Sequence, residues 1–424
     1  MAGILSLRIQ KKTFYFAFFA LTLLFFGLNI PKLSTLSLYA AFFIVFVAWQ
    51  GEVVNDMIVP TSFIGMFSVL YYLITYNYGF IDMKSAIKYP LLIVGSYSVG
   101  YSISQKNTPE WPNGLVWIVL AMTAGFILFS FLSVYSFLSS GHKATIMLYR
   151  STPSFWVGGE SINGPILGLF ASLGLSLAPV LFLGTGEPFP GRRRLVLLIA
   201  AVTLLVGAGL YVNVSLQNRS PFVAMLLSFL LSAYYYFFIR RISSKHKART
   251  VMSMILFLCV AAYLFVSSGY DYSRFSIVSR FETQGLETGR FDAWMYFLKA
   301  LPDNLFGGRL VYLGGLRYVH NLWLDVAYDA GILPMIFLLV FHSMHIRNFR
   351  DVLRARLPLL VILVIVSVGV SFLVGFAVEP ALQGSVIYFS ASCFFLGLVR
   401  RLSTDVNLLS RQLIRGAVAA ESSL

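Results

Sequence analysis

Charge is scarce in this 424-residue chain, where only 12% of residues are Asp, Glu, Lys or Arg. That is about half the share that wets the surface of a soluble domain. Cysteine is scarcer still: Cys259 and Cys393 are the only two, and both lie inside apolar stretches. A disulfide-framed secreted scaffold and a thiol metal site are thereby excluded. Acid is the rarer sign, with 17 Asp and Glu against 32 Lys and Arg and a net charge of +15. There is little low-complexity sequence and no convincing Asp/His metal cluster, so neither disorder nor a resident metal is expected. What the chain has in excess is apolar. Its hydrophobic share is 58%, its mean hydropathy is +0.79, and the apolar residues come in long blocks that a water-facing surface could not hide. The expected fold class is all-α, a polytopic membrane protein.

Blocks long enough to cross about 30 Å of hydrocarbon recur near 13–30, 34–50, 58–77, 88–104, 114–137, 164–184, 195–214, 221–239, 250–268, 322–342, 357–376 and 385–400. Lipid offers backbone groups no partners, so these segments are predicted as helices, about 12 in all. The first block follows Arg8, Lys11 and Lys12 without a small-residue cleavage pattern, so it is expected to be a span rather than a leader. No internal repeat or inverted symmetry is visible, which disfavours repeat-built transporters. The organisation expected is nine spans over 1–268, a large loop over 269–321, three spans over 322–400 and a tail over 401–424 that reads as an amphipathic helix.

The basic residues orient this array. The N-terminus, the tail and the even-numbered connections carry 20 of the 32 Lys and Arg, richest at Arg192–Arg194, Arg240–Arg249 and Arg347–Arg356. The odd-numbered connections carry the other 12, six of them in the long 269–320 segment, which the positive-inside rule discounts. Both termini are therefore expected to be cytoplasmic. The surplus of positive charge lies between apolar blocks, where it sets topology and meets anionic lipids, not in a nucleic-acid patch.

Two outward segments are long, 139–163 and 269–320. Within the second, Phe291, Trp294, Met295, Leu298 and Leu301 follow helical spacing and Pro302 ends it. A short amphipathic helix along the outer membrane surface is predicted. Within the spans, Asp325 and Asp329 are the clearest ionisable residues, at the outer end of the tenth. Polar chemistry otherwise gathers outside, in Arg219, Arg274, Arg280, Arg290, Arg309, Arg317 and His320. Arginine is always charged and grips phosphate oxygens in pairs, and a histidine beside it takes a proton near neutral pH. A base with diphosphate clamps suffices for glycosyl transfer from a polyprenyl-pyrophosphate sugar, with no cofactor and no metal. The plain alternatives are a headgroup-level histidine bonded to a carbonyl and an arginine snorkelling beside Trp294.

Thr288-Gly-Arg290-Phe-Asp-Ala-Trp294, Pro302, Phe306-Gly307-Gly308, His320-Asn321-Leu-Trp-Leu324 and Gly331 together resemble the signature of the O-antigen polymerase and ligase superfamily. Asn218-Arg219-Ser220 resembles that family's Ser-Arg-Gly segment, with Asn for Ser and Ser for Gly. The resemblance covers roughly 200–345 and implies a GT-C-like membrane glycosyltransferase of the bacterial inner membrane. It implies His320 as catalytic base and Arg219 and Arg290 as pyrophosphate contacts, with Arg280, Arg309, Arg317, Asn321 and Asp325 as further substrate-binding candidates. Asp325, five residues beyond His320, is expected to pair with an arginine rather than orient the imidazole.

The implied partners are undecaprenyl-pyrophosphate-linked donor and acceptor, membrane lipids and, for the polymerase branch, a chain-length-determining co-polymerase; nucleic acid is not among them. Thirty residues between Arg290 and His320 favour the polymerase branch. The ligase, which would deliver the glycan to lipid A-core, and a polysaccharide flippase are the alternatives.

Overall fold

The computed structural model describes residues 17–48, 54–103, 111–140, 151–157, 161–184, 192–240, 242–252, 254–255, 289–355 and 357–421. It is 82% helical with almost no strand, so the fold is all-α. In chain order the elements are α1 (Ala17–Gly27), α2 (Leu33–Ala48), α3 (Val54–Asn77), α4 (Met83–Ser102) and α5 (Trp111–Ser139). A hairpin of β1 (Ser151–Pro153) and β2 (Ser161–Asn163) follows, antiparallel with Thr152 opposite Ile162. Then come α6 (Gly164–Leu175), α7 (Ala178–Leu183), α8 (Arg192–Ser215) and α9 (Ser220–Tyr234), the last extended by a π turn over Tyr235–Ile239. The remainder is α10 (Arg290–Ala300), α11 (Leu322–Ala330), α12 (Ile332–Arg354), α13 (Leu359–Val378), α14 (Ala381–Gly384) and α15 (Val386–Glu421).

Eight segments among the described residues are long and apolar enough to cross a membrane: Asp56–Asn77, Gly114–Ser139, Gly164–Leu183, Arg193–Ser215, Ser220–Ile239, Ile332–Arg354, Leu359–Val378 and Val386–Asn407. α1 and α2 hold shorter apolar runs. The ninth predicted span, 250–268, lies mostly outside the described residues, as does 269–288 of the expected loop. The expected helix after Phe291 is present as α10, and Pro302 ends it through a 3-10 turn at Leu301–Asp303. The segment expected as a separate tail helix instead continues the last span without a break, as part of α15.

Burial sorts the helices. α13 is the most hydrophobic segment, and 83% of its apolar window is inside the protein, as is that of the α6–α7 pair. In α8, α9 and α12 the corresponding share is 28%, so these present most of their apolar surface outward, as lipid-facing helices do. Without a hydrophobic drive between helices in lipid, close packing needs small residues at the contact. α4 packs against α15 through two of them: a Cβ on Gly100 would fall on the Phe394 carbonyl, and one on Gly397 on the Tyr97 carbonyl. Buried hydroxyls add links, as between Ser172 of α6 and Ser371 of α13 (Oγ–Oγ 2.7 Å).

The predicted tenth span, 322–342, is two helices. Gly331, with φ at +90°, separates α11 from α12. Its backbone lies against that of Leu305 and Phe306, and a side chain there would strike both. Gly307, φ +78°, returns the contact against Ala330 and Gly331. The Ile332 N–H donates to the Leu305 carbonyl (2.9 Å), and the Gly308 and Arg309 N–H groups donate to the Asp329 and Tyr328 carbonyls (both 3.0 Å). Asp325 and Asp329 therefore sit on a short helix before the membrane-crossing one, not within a span. Contacts bring the connections after α1, α3, α5, α8 and α13 and the 289–331 segment together, consistent with helices that alternate in direction: Trp156 bonds Leu28, Tyr78 bonds Phe306, Ser220 and Arg290 bond Glu379, and Asn29, Ser154, His320 and Glu379 border one cavity.

Candidate functional site

α13 ends in the middle of that bundle end, and its last carbonyls have no intrahelical partner. Two side chains take them: Arg290 Nη1 donates to the Val378 carbonyl (2.6 Å) and Asn321 Nδ2 to that of Ala377 (3.2 Å). A guanidinium here also meets the negative end of the helix dipole. The next residue, Glu379, is the centre of the cluster. It is 5% exposed, receives Arg290 Nη2 at 3.2 and 3.4 Å and accepts from Ser220 Oγ at 3.4 Å. His320 Nδ1 faces its Oε2 at 3.8 Å, beyond hydrogen-bond reach, and has no hydrogen-bond partner among the described residues. Burial pushes the Glu379 carboxyl up, but His320 and the Arg290 guanidinium outweigh it and hold the group below its ordinary 4.5.

The chain fixes His320 from three directions. Its own backbone is left-handed, φ +61°, a conformation uncommon outside glycine that persists only where the surroundings impose it. Asp325 imposes it from one side: Oδ1 accepts from the Val319 N–H (2.7 Å) and Oδ2 from the Asn321 N–H (3.0 Å), gripping both neighbours of His320. Trp294 of α10 adds a bond from Nε1 to the Val319 carbonyl (2.8 Å), which ties the Arg290 helix to the His320 turn. Asn321 completes the turn as N-cap of α11, accepting from the Leu324 N–H (3.2 Å).

Of the residues singled out from the sequence, the fold brings His320, Arg290 and Asn321 together around Glu379. Arg219 is the N-cap of α9, directly before Ser220, whose hydroxyl donates to Glu379. Arg317 is exposed, over the Tyr318 ring at 5.4 Å, and borders the cavity described below. Two candidates are turned inward instead. Arg309 pairs with Asp329 (Nε–Oδ1 2.7 Å) and stacks on Phe80 at 4.1 Å. Asp329 is fully buried and also accepts from Tyr71 (2.7 Å) and Gln383 (2.8 Å), so it joins α3, α11 and α14. Asp325 is fully buried and bonds backbone rather than the arginine expected for it. Burial, then the Asp329 charge, pushes its carboxyl well above the usual range, against the pull of the backbone N–H groups. Arg274 and Arg280 lie outside the described residues.

Glu379 was not singled out from the sequence, although a lone acid between two apolar runs and before Pro380 is a signal. Lys32 and Lys88 were counted only as topology charges. They line, with Ser154, Arg317, His320 and Glu379, a cavity of about 770 Å³. A second space, an apolar groove of about 420 Å³, runs between α12, α13 and α15 and reaches Trp323, three residues past His320. Among the described residues no three His, Cys, Asp or Glu side chains converge as metal ligands.

No family model and no curated protein matches the chain. The geometry offers one imidazole with a carboxylate on its Nδ1 side, Arg290 on that carboxylate, further cations lining the cavity that His320 borders, and a polar and an apolar space within a few residues.

Proposed function

We propose that this chain is a glycosyltransferase of the bacterial inner membrane that takes its glycan from undecaprenyl pyrophosphate, acting as a polymerase of surface polysaccharide. What supports it is the gathering of Arg290, His320 and Glu379 over the end of α13, beside a polar cavity on one side and an apolar groove near the other. The groove suits the polyprenyl chain, since ligand sites of this size are mostly apolar with a few polar groups at one end. In this account about twelve helices span the membrane, both termini are cytoplasmic and the site faces the periplasm.

The chemistry needs little from the protein, because diphosphate is a good leaving group. With Nδ1 turned to Glu379, the other ring nitrogen of His320, Nε2, accepts the proton of an acceptor hydroxyl. The hydroxyl oxygen forms the new bond to the anomeric carbon as the carbon–oxygen bond to diphosphate breaks, and the electron pair leaves with the phosphate. Arg290 and Arg219 stabilise that growing charge. Arg290 can do so while holding Val378 and Glu379, since a guanidinium has five N–H donors. Glu379 faces Nδ1 and offsets the positive charge the imidazole acquires, so it acts through His320. Transport is the weaker account, because a flippase needs charge in a central cavity, and the charge here collects at one end.

The test is the lipopolysaccharide ladder of a strain lacking this gene, together with its extracted lipid-linked glycans. A core bearing a single repeat, with no long chains on lipid, supports the polymerase. A bare core with long polymer stranded on undecaprenyl pyrophosphate makes the chain a ligase, and an unchanged ladder and lipid-linked pool overturns both.

A further inference from the structure

Among the described residues, the 770 Å³ cavity beside His320 carries a surplus of positive charge. Three cations line it: Lys32, from the turn between α1 and α2; Lys88, from the second turn of α4; and Arg317, from the segment before His320. Among the described residues none of the three has a carboxylate within ion-pair distance. The one acid on the wall among the described residues, Glu379, is already engaged by Arg290. The other polar groups of the lining are neutral hydroxyls and amides, Ser154, Ser161, Asn163 and Gln383 among them, which is a lining suited to sugar hydroxyls. The size falls within the range of about 300–1,000 Å³ typical of ligand sites. These cations come from three parts of the chain far apart in sequence, and among the described residues their charge meets aromatic rings and no carboxylate: the Lys88 ammonium is 5.8 Å from the Tyr89 ring and the Arg317 guanidinium 5.4 Å from that of Tyr318.

We propose that this cavity holds the acceptor glycan, and that the acceptor carries an acidic group, a carboxylate or a phosphate on a sugar, which Lys32, Lys88 and Arg317 bind. The inference rests on the glycosyltransferase reading for the word acceptor, but the anion site itself does not. His320 lies on the cavity wall, so a sugar seated there presents hydroxyls to the base while Arg219 and Arg290 are left for the departing diphosphate. Two cationic groups, Arg219 with Arg290 and the three cavity cations, then serve two different anions. An acceptor without the acid would lose this anchor and bind through hydroxyls alone.

The experiment uses the full-length protein in neutral phosphatidylcholine nanodiscs with no donor present, so that binding is read without turnover. The probes are trigalacturonate against its carboxyl-reduced form, and pentamannose 6-phosphate against mannopentaose. At least one acid should bind about tenfold more tightly than its neutral counterpart, equivalent to about 1.4 kcal/mol, and the preference should shrink with added salt. Three partly exposed charge pairs supply an effect of that size. The pair that shows it tells carboxylate from phosphate. In the Lys32→Gln, Lys88→Gln, Arg317→Gln protein the preference should vanish while the neutral probe binds as before. Should that protein fail to fold, the exposed single change Lys32→Glu should cut acid binding severalfold and leave the neutral probe unaffected. Equal binding of acid and neutral probes, no measurable binding of either acid, or a preference that survives these changes overturns the proposal. A protein that fails this test yet still transfers glycan in a His320-dependent way loses only the acidic acceptor, whereas loss of transfer dependence alone strikes the glycosyltransferase reading.

Discussion

Replacing Glu379 with glutamine removes one charge and almost no volume from the end of α13. The fold should notice little. Glutamine still offers Oε1 to Arg290 and Ser220, and Arg290 keeps its 2.6 Å bond to the Val378 carbonyl. A charge-assisted hydrogen bond is about twice as strong as a neutral one, so the loss is about 1 kcal/mol at most. It is reduced further by water at the guanidinium, which is 24% exposed, and by the relief of burying a carboxylate. A melting temperature lower by no more than about 3 °C follows.

Activity should respond far more. When His320 takes a proton, the new charge sits 3.8 Å from Glu379. At an effective dielectric constant of about 20, two unit charges at that separation attract by about 4 kcal/mol. With the proton half transferred in the transition state, about 2 kcal/mol is lost, or about thirtyfold in kcat. Glu379 lies on the cavity wall but acts on the chemical step through His320, so the loss should fall on kcat, with KM changing no more than a few-fold. The assay is glycan transfer in nanodiscs with a lipid-linked donor, beside thermal unfolding of the same preparation. A kcat within threefold of wild type in a well-folded protein refutes the role given to Glu379. So does a fall in melting temperature of ten degrees or more, since that makes the residue a structural support.

Asp329→Asn should lower stability by about 2 kcal/mol, because Arg309 loses its counter-charge and either Arg309 or Tyr71 and Gln383 together, which share Oδ2, lose their acceptor; tryptophan fluorescence on heating reads it, and an unchanged melting curve counts against the described network. Gly397→Leu should collapse the yield of folded protein, since its side chain meets the Tyr97 backbone, while Gly207→Leu, with open space around it, should not; fluorescence-detected gel filtration compares the two, and equal yields would contradict the α4–α15 packing. For pH, Glu379 lies below its ordinary 4.5 in the folded protein, so its contribution is complete above that value and fades as pH falls through the lowered one. The small melting difference between wild type and Glu379→Gln should therefore persist from neutral pH to about 5 and close only in stronger acid; a gap that widens on acidification would reverse the sign of the coupling.

Hydropathy locates the long helices because lipid forbids any other arrangement of so many apolar residues, and α5, α8, α9 and α13 match their predicted spans closely. It fails where the apolar run does not stop but the backbone turns. In 322–342 the apolar run carries on past Asp325 and Asp329, and the break falls at Gly331, where crowding against Leu305 and Phe306 splits α11 from α12. The site was legible where chemistry is local: the Gly-Arg-x-x-x-Trp helix and the His-Asn turn are each held by short-range contacts, and they proved to be joined by the Trp294–Val319 bond. Glu379 was illegible as a partner of His320 because 58 residues, including the two membrane-length helices α12 and α13, separate them. Asp325 and Arg309 show the converse. Their charge made them candidates, but burial turns one to the backbone around His320 and the other to Asp329.

The most direct test of the central claim is transfer by the purified protein in nanodiscs, supplied with an undecaprenyl-pyrophosphate-linked oligosaccharide and nothing else. Wild type should lengthen the glycan by whole repeats and release undecaprenyl pyrophosphate in equal amount, and folded His320→Ala should do neither. Release and lengthening that continue at the wild-type rate in His320→Ala, or wild-type protein that leaves the lipid-linked glycan untouched, would contradict the account.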